Sequence, residues 1–283
     1  MTVRVRRTTP RWHTHELRLG TDEVTKRYHD TQAEPAEREW RALVLLQRHA
    51  PGLAPRPLRR TPGRHPDLVM SRLPGEPLRG TPVAGPALVA LADSVARLLD
   101  AVPPAAAAAL PERRAGRAEA TAQIRQWYAR RTPAAREPGV AAVLAEGMRW
   151  LERPWPAVAE EAGLEPVLGQ GDGNLANFLW DGERVRVVDF EESGRSDRAF
   201  ELAEITEHVG SWVDPGTAFD AEEFLGLVPL DAGERVRLLE CRRLIALVWL
   251  LMLTRDDPAR PRNPRGTVRA QAARLDALLG QVC

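Results

Sequence analysis

At 283 residues, with 43% hydrophobic and 28% charged side chains, the chain is long enough to bury a full core and to divide into two lobes. Lys and Arg number 40 against 39 Asp and Glu, a formal net charge of +1, which excludes the broad positive field of a nucleic-acid-binding domain. The longest apolar run, Leu244 to Leu253, is far short of the roughly 20 residues that span a bilayer, the basic N-terminus has no signal-peptide core, and Cys241 and Cys283 form neither a disulfide framework nor a metal-ligand spacing. These features predict free thiols in a reducing, cytoplasmic setting.

In chain order, Trp12 to Leu19 and Glu23 to Tyr28 read as a β-hairpin around the turn Gly20-Thr21-Asp22. Its second strand carries Lys26, the only lysine in the chain, a position where an ammonium has resisted replacement by the otherwise universal arginine. A helix from Pro35 to His49 follows, and Glu39 projects from its apolar face with Leu43 and Leu46, so an acid there wants a basic partner. Lys26 is the candidate, with Glu37 the alternative acid. Pro57 to Arg60 and Asp67 to Met70 read as short strands, and Ser71-Arg72-Leu73-Pro74-Gly75 as the break between lobes, 1–75 and 76–283, where backbone groups of Ser71 and Leu73 are placed to meet an adenine. Helices are expected from Pro86, from Ala115 to Arg131 and from Val140 to Arg153.

The stretch Gly169 to Glu192 concentrates the chemistry. Phe178-Leu179-Trp180 and Val185 to Val188 flank Asp181-Gly182, a hairpin signal that returns Asn177 and Asp189 to one place as oxygen ligands for a hard cation such as Mg²⁺. Asp172 lies five residues before Asn177 in a Gly-flanked loop, where its carboxylate can face the same space. A helix from Ser196 to Val209 then begins an acidic neighbourhood with Glu201, Glu204 and Glu207, continued by Asp214. Glu192 just before it, with Glu204 and Asp214 within it, are the candidates for attracting a cationic substrate. Two further helices, Glu234 to Arg255 and Val268 to Val282, complete the chain.

Here QGDGNLAN resembles the HGDxxxxN catalytic loop of the aminoglycoside phosphotransferase family of small-molecule kinases, VVDFE is similar to its metal-binding strand end, and SDRAFELA to its GDPxYDLA segment. VTKRY, EREWRAL and LVMSRLPG resemble the family's nucleotide lysine strand, its glutamate helix and its hinge, in the same order. The resemblance implies an α+β, protein-kinase-like bilobal fold, a small β-rich N-lobe with one helix and a larger helical C-lobe, and transfer of a phosphoryl group from ATP or GTP to a hydroxyl. It implies Asp172 as catalytic base, Asn177 and Asp189 on Mg²⁺, Lys26 on the α- and β-phosphates positioned by Glu39, and Ser71 and Leu73 at the adenine. The expected acceptor is a small molecule, an aminoglycoside or other cationic antibiotic first, a sugar, amino acid or choline-like metabolite second; neither nucleic acid nor membrane is an expected partner, and the chain would work as monomer or homodimer. Two departures stand out: Gln170 replaces the family histidine, and Thr8 to His15 has no glycine to cover a phosphate. They leave a nucleotide-binding pseudokinase as the competing class, with a metal-dependent hydrolase behind it.

Overall fold

The computed structural model describes residues 15–28, 34–61, 63, 65–159, 164–257 and 259–281. The phosphate-covering segment expected upstream of His15 lies outside these residues, as does Cys283.

Strands β1 (Glu16–Leu19) and β2 (Glu23–Arg27) form the expected hairpin, pairing Glu16 with Arg27 and Leu19 with Val24. Its turn is closed by the Gly20 amide, which donates to the Glu23 carbonyl at 2.8 Å. Helix α1 (Glu34–His49) follows, with Glu34 and Glu37 in its first turn and Arg48 and His49 in its last, the charge order the helix dipole favours. Strands β3 (Pro57–Thr61) and β4 (Asp67–Ser71) complete a four-stranded antiparallel sheet in the order β1-β2-β4-β3. Leu68, Val69 and Met70 make the central strand β4 apolar, and α1 lays Ala42, Leu43 and Leu46 toward this sheet. One helix over one small sheet positions Glu39 above Lys26.

The chain then crosses through 72–75 into a larger, mostly helical part. Strand β5 (Glu76–Pro77) precedes α2 (Pro86–Ala101), α3 (Pro104–Ala108), α4 (Arg117–Ala129) and α5 (Pro138–Leu151). Strands β6 (Val167–Gly169), β7 (Phe178–Trp180), β8 (Val185–Val187) and β9 (Gly194–Ser196) come next, followed by helices α6 (Arg198–Glu207), α7 (Ala221–Gly226), α8 (Ala232–Leu253) and α9 (Thr267–Leu279). Strands β5, β7 and β8 form one sheet, and β6 pairs with β9.

The apolar run Leu244 to Leu253 is the C-terminal half of α8, which packs against α4, α5, α6 and α9 and is therefore apolar nearly all round. Asp231 and Glu234 start that helix with a reciprocal capping box. Among the described residues no helix is long and apolar enough to cross a membrane. Strands β5, β6 and β9 and helix α7 have no signature in the sequence, because two- and three-residue strands and a six-residue helix are too short to show a period.

Candidate active site

The loop after β6 is packed too tightly for side chains at its glycines. Gly171 has φ +93°, and a Cβ on it would meet the Glu192 carbonyl oxygen at 2.6 Å, while one on Gly173 would lie 2.2 Å from the Glu204 backbone. Asn174 accepts from the Ala176 amide at 3.1 Å and so starts the short turn 175–177 that presents Asn177. The β7–β8 register sets Phe178 opposite Val187, and the Val188 amide donates to the Asn177 carbonyl at 2.9 Å. Asn177 and Asp189 thus stand at neighbouring ends of one hairpin.

Asp172 points out of this loop with both carboxylate oxygens engaged. Oδ2 accepts from Asn177 Nδ2 at 3.0 Å, and Oδ1 accepts from the Asn174 amide at 3.2 Å. His208 Nε2, from the end of α6, lies 3.3 Å from the same Oδ1. Burial works against the charge, but His208, the Asn174 amide and Asn177 outweigh it and hold the carboxyl below its ordinary value, so it stays a carboxylate at neutral pH. A carboxylate kept ionised, oriented and partly accessible can accept a hydroxyl proton.

Gln170 stands behind it. Its Oε1 accepts from the Asp172 amide at 2.7 Å, and its Nε2 donates to the Asp189 carbonyl at 2.5 Å. An uncharged amide therefore ties the Asp172 loop to the end of β8, both ends of its dipole being used. Asp189 itself has φ +66°, a left-handed conformation that costs a residue with a Cβ about 1 kcal/mol. The Gln170 bond fixes its carbonyl, and the next amide, Phe190 N, donates to Glu39 Oε1 at 3.3 Å.

Lys26 occupies the centre of the opposite wall, 5% exposed. Its Nζ lies 2.9 Å from Glu39 Oε2, 2.5 Å from Asp189 Oδ1 and 2.7 Å from Glu191 Oε2, and 4.9 Å from the Tyr28 ring centroid. Tyr28 also donates to Glu39 Oε2. Glu37, the alternative acid, instead pairs with Arg60 on the exposed side of α1. Burial would lower the Lys26 pKa, yet Asp189, Glu39 and Glu191 raise it well above the lysine norm. In return, burial and the neighbouring charges of Glu39 and Glu191 push Asp189 up despite Lys26, whereas His15 and Lys26 hold Glu191 down against its burial. Three carboxylates around one ammonium carry surplus negative charge, and oxygens of Glu39, Asp189 and Glu191 lie within 4.8 Å of one another. The donor set is all oxygen, with Asn177 beside it, which fits a hard divalent cation such as Mg²⁺.

At the hinge, the Ser71 amide donates to the Arg56 carbonyl at 2.9 Å, so an adenine would have to meet other backbone groups of the Ser71–Leu73 segment. Leu73 is half-buried there.

The acids downstream of the hairpin have cationic partners. Arg113, 3% exposed in the loop between α3 and α4, bonds Glu201 Oε1 and Glu204 Oε1 at 2.9 Å each and the Gly171 carbonyl at 2.8 Å. Glu201 Oε2 in turn accepts from the Gln170 and Gly171 amides at 2.9 and 3.2 Å, so Glu201 and Arg113 together brace the Asp172 loop from below. Burial raises the Glu204 pKa in spite of Arg113. Glu192 lies 3.2 Å from Arg114 Nε, Asp214 lies 2.6 Å from Arg79 Nε, and Glu207 pairs with Arg242 at 2.7 Å. Of the three acids singled out as a cation-attracting set, Glu204 faces inward and Glu192 and Asp214 sit half-exposed with their arginines.

Neither Arg113 nor His208 was among the candidates read from sequence, because each reaches the loop from a distant segment.

A sequence model of the phosphotransferase enzyme family, APH, matches residues 5–239. No curated protein matches the chain by sequence. Among solved structures, a choline/ethanolamine kinase family protein from Mesorhizobium loti is 20% identical, with a TM-score of 0.64 over 95% of this chain and 86% of that one. The aminoglycoside phosphotransferase APH(4)-Ia, as a thermostable mutant in ternary complex with AMP-PNP and hygromycin B, is 17% identical, with a TM-score of 0.59 over 95% of this chain and 91% of that one. APH(3'')-Id from Streptomyces rimosus, in complex with ADP and streptomycin, is 22% identical, with a TM-score of 0.53 over 82% and 88% respectively. These likenesses show a protein-kinase-like fold.

Proposed function

This chain belongs to the phosphotransferase enzyme family, and from that premise we propose that it transfers the γ-phosphoryl group of ATP or GTP to a hydroxyl of a small molecule. The observation that carries the proposal is the meeting of Lys26 and Asp189 at 2.5 Å, which joins the sole lysine of the N-terminal sheet to the hairpin that also presents Asn177 and Asp172.

In this reading residues 1–75 hold the nucleotide, with Ser71 and Leu73 near the base, and 76–283 hold the acceptor. Asp172 orients the acceptor hydroxyl and takes its proton as the new O–P bond forms and the bond to the β-phosphate breaks, releasing the nucleoside diphosphate. Lys26, positioned by Glu39, meets the phosphates. Asn177 and Asp189 would hold Mg²⁺, which when bound neutralises phosphate charge. Gln170 does not remove any of these groups, which speaks against a pseudokinase.

The acceptor placed first is an aminoglycoside or similar cationic antibiotic. The arginine partners of Glu192, Glu204 and Asp214 favour a second reading, an acceptor with one cationic group or none, such as a choline-like metabolite. The test incubates the protein with Mg-ATP or Mg-GTP and streptomycin, hygromycin B, choline, ethanolamine and a set of sugars, and seeks a product one phosphoryl group heavier. Asp172→Ala should abolish it. Full activity in that variant, or no product and no thermal shift with either nucleotide, would overturn the proposal.

A further inference from the structure

The end of α6 holds a histidine that the roles above leave unused. His208 is 7% exposed, and its ring sits edge-on to Trp249 with centroids 4.6 Å apart, so its plane is set by packing. Its Nδ1 accepts from the Gly210 amide at 2.9 Å. That bond requires a lone pair on Nδ1, so the neutral ring carries its proton on Nε2. Nε2 is the atom that lies 3.3 Å from Asp172 Oδ1.

From this arrangement we propose that His208 is the positioning residue of Asp172: the Gly210 amide selects the tautomer, and the Nε2–H so fixed holds the carboxylate in the rotamer that meets an acceptor hydroxyl. The inference rests on Asp172 being the base. Gln170 anchors the Asp172 main chain, and Asn177 and the Asn174 amide engage its oxygens from its own loop. His208 alone among these contacts reaches the carboxylate from another element. A separation of 3.3 Å is long for a finished hydrogen bond and is of the kind that tightens when substrate is in place. His208 does not touch the acceptor in this scheme; it acts through Asp172.

Two substitutions divide the ring's two functions. His208→Asn leaves a polar atom where Nδ1 was and keeps a cap for the Gly210 amide, but cannot reach Asp172. His208→Gln places an amide N–H where Nε2–H was. With Mg-ATP and the acceptors of the panel, His208→Asn should lower kcat by about ten- to a hundredfold with both KM values and the melting temperature near wild type, the cost expected of a mispositioned catalytic group. His208→Gln should restore most of that loss. Nitrogen-detected NMR of the histidine side chains, with the His208 signals identified by their disappearance in His208→Asn, should show the Nε2–H tautomer and a shift of that proton in Asp172→Asn.

An Nδ1–H tautomer, or an unchanged kcat in His208→Asn of an active enzyme, would overturn the pairing while leaving the kinase reading intact. A loss of kcat shared equally by Asn and Gln and accompanied by raised KM values would make the role merely structural and overturn it too. A wild-type protein that phosphorylates nothing but shows the Nε2–H tautomer would instead sink the kinase reading, and with it the catalytic meaning of the pair.

Discussion

Gln170 and Asp189 are joined by a 2.5 Å bond from a side-chain amide to a main-chain carbonyl, and the same side chain accepts from the Asp172 amide at 2.7 Å. The residue that departs from the family pattern is thus the tie between the proposed base and the proposed metal ligand. Gln170→Leu removes these two bonds and a third, from Nε2 to the Val188 carbonyl at 3.2 Å, inside a buried site and should cost about 1–3 kcal/mol for each partner left unsatisfied. The melting temperature should fall by several degrees in scanning calorimetry, and kcat should fall with it. Gln170→His retains one donor and one acceptor and should stay within a few-fold of wild type in both.

Arg113 neutralises two buried acids, so its loss leaves charge behind. Arg113→Met should destabilise the protein by about 3–5 kcal/mol at neutral pH, the cost of unpaired buried charge. The defect should depend on pH with a definite sign. Glu204 already has a raised pKa in the folded state because of burial, and without Arg113 it rises further. A raised carboxyl favours folding below its unfolded value and loses that advantage as pH climbs through the folded one. The melting-temperature gap between variant and wild type should therefore narrow as pH falls from neutral toward the ordinary carboxylate range. A gap independent of pH would mean that Glu204 finds another partner.

Lys26 holds Glu39, Asp189 and Glu191 together through one ammonium group. Lys26→Met leaves three facing carboxylates and should lower the melting temperature in metal-free buffer. Millimolar Mg²⁺ without nucleotide should restore more stability to this variant than to wild type, where the ammonium already sits on Asp189 Oδ1. Equal shifts in the two proteins would argue against Asp189 as a cation ligand.

Cys241 lies buried in the middle of α8, and burial holds its thiol well above the usual range. A thiol that is neither exposed nor ionised does not react readily. Peptide mapping should find it unmodified after native treatment with iodoacetamide and modified after denaturation. Rapid native labelling would mean that α8 opens far more often than its packing implies.

Much of this architecture is legible locally. Alternation on both sides of Gly20-Thr21-Asp22 announces the first hairpin, Asp181-Gly182 the second, and helical spacing places Glu39 on the face that reaches Lys26. What local pattern does not contain is the network under the Asp172 loop. Arg113 meets Glu201 across 88 positions of sequence, and it passes over its immediate neighbour Glu112, the acid that local sequence would offer it. The acidic run of α6 reads as an outward face because charge runs usually are solvated. It turns inward because three arginines from other segments meet it, Arg113, Arg242 and Arg274. For His208 a second reason adds to its distance in the chain: its proposed role depends on which of two ring nitrogens the Gly210 amide engages, a matter of tertiary geometry alone.

That the chain has one lysine, and has it against Glu39, Asp189 and Glu191 where the proposal puts the phosphates, makes the protein a one-site target for amine chemistry. A nucleotide bearing an acyl-phosphate warhead should leave a single adduct on Lys26 besides any on the α-amine, readable in the intact mass without digestion. Unlabelled ATP or GTP would compete for that tag, so occupancy by any candidate nucleotide becomes countable on unmodified protein before an acceptor is known.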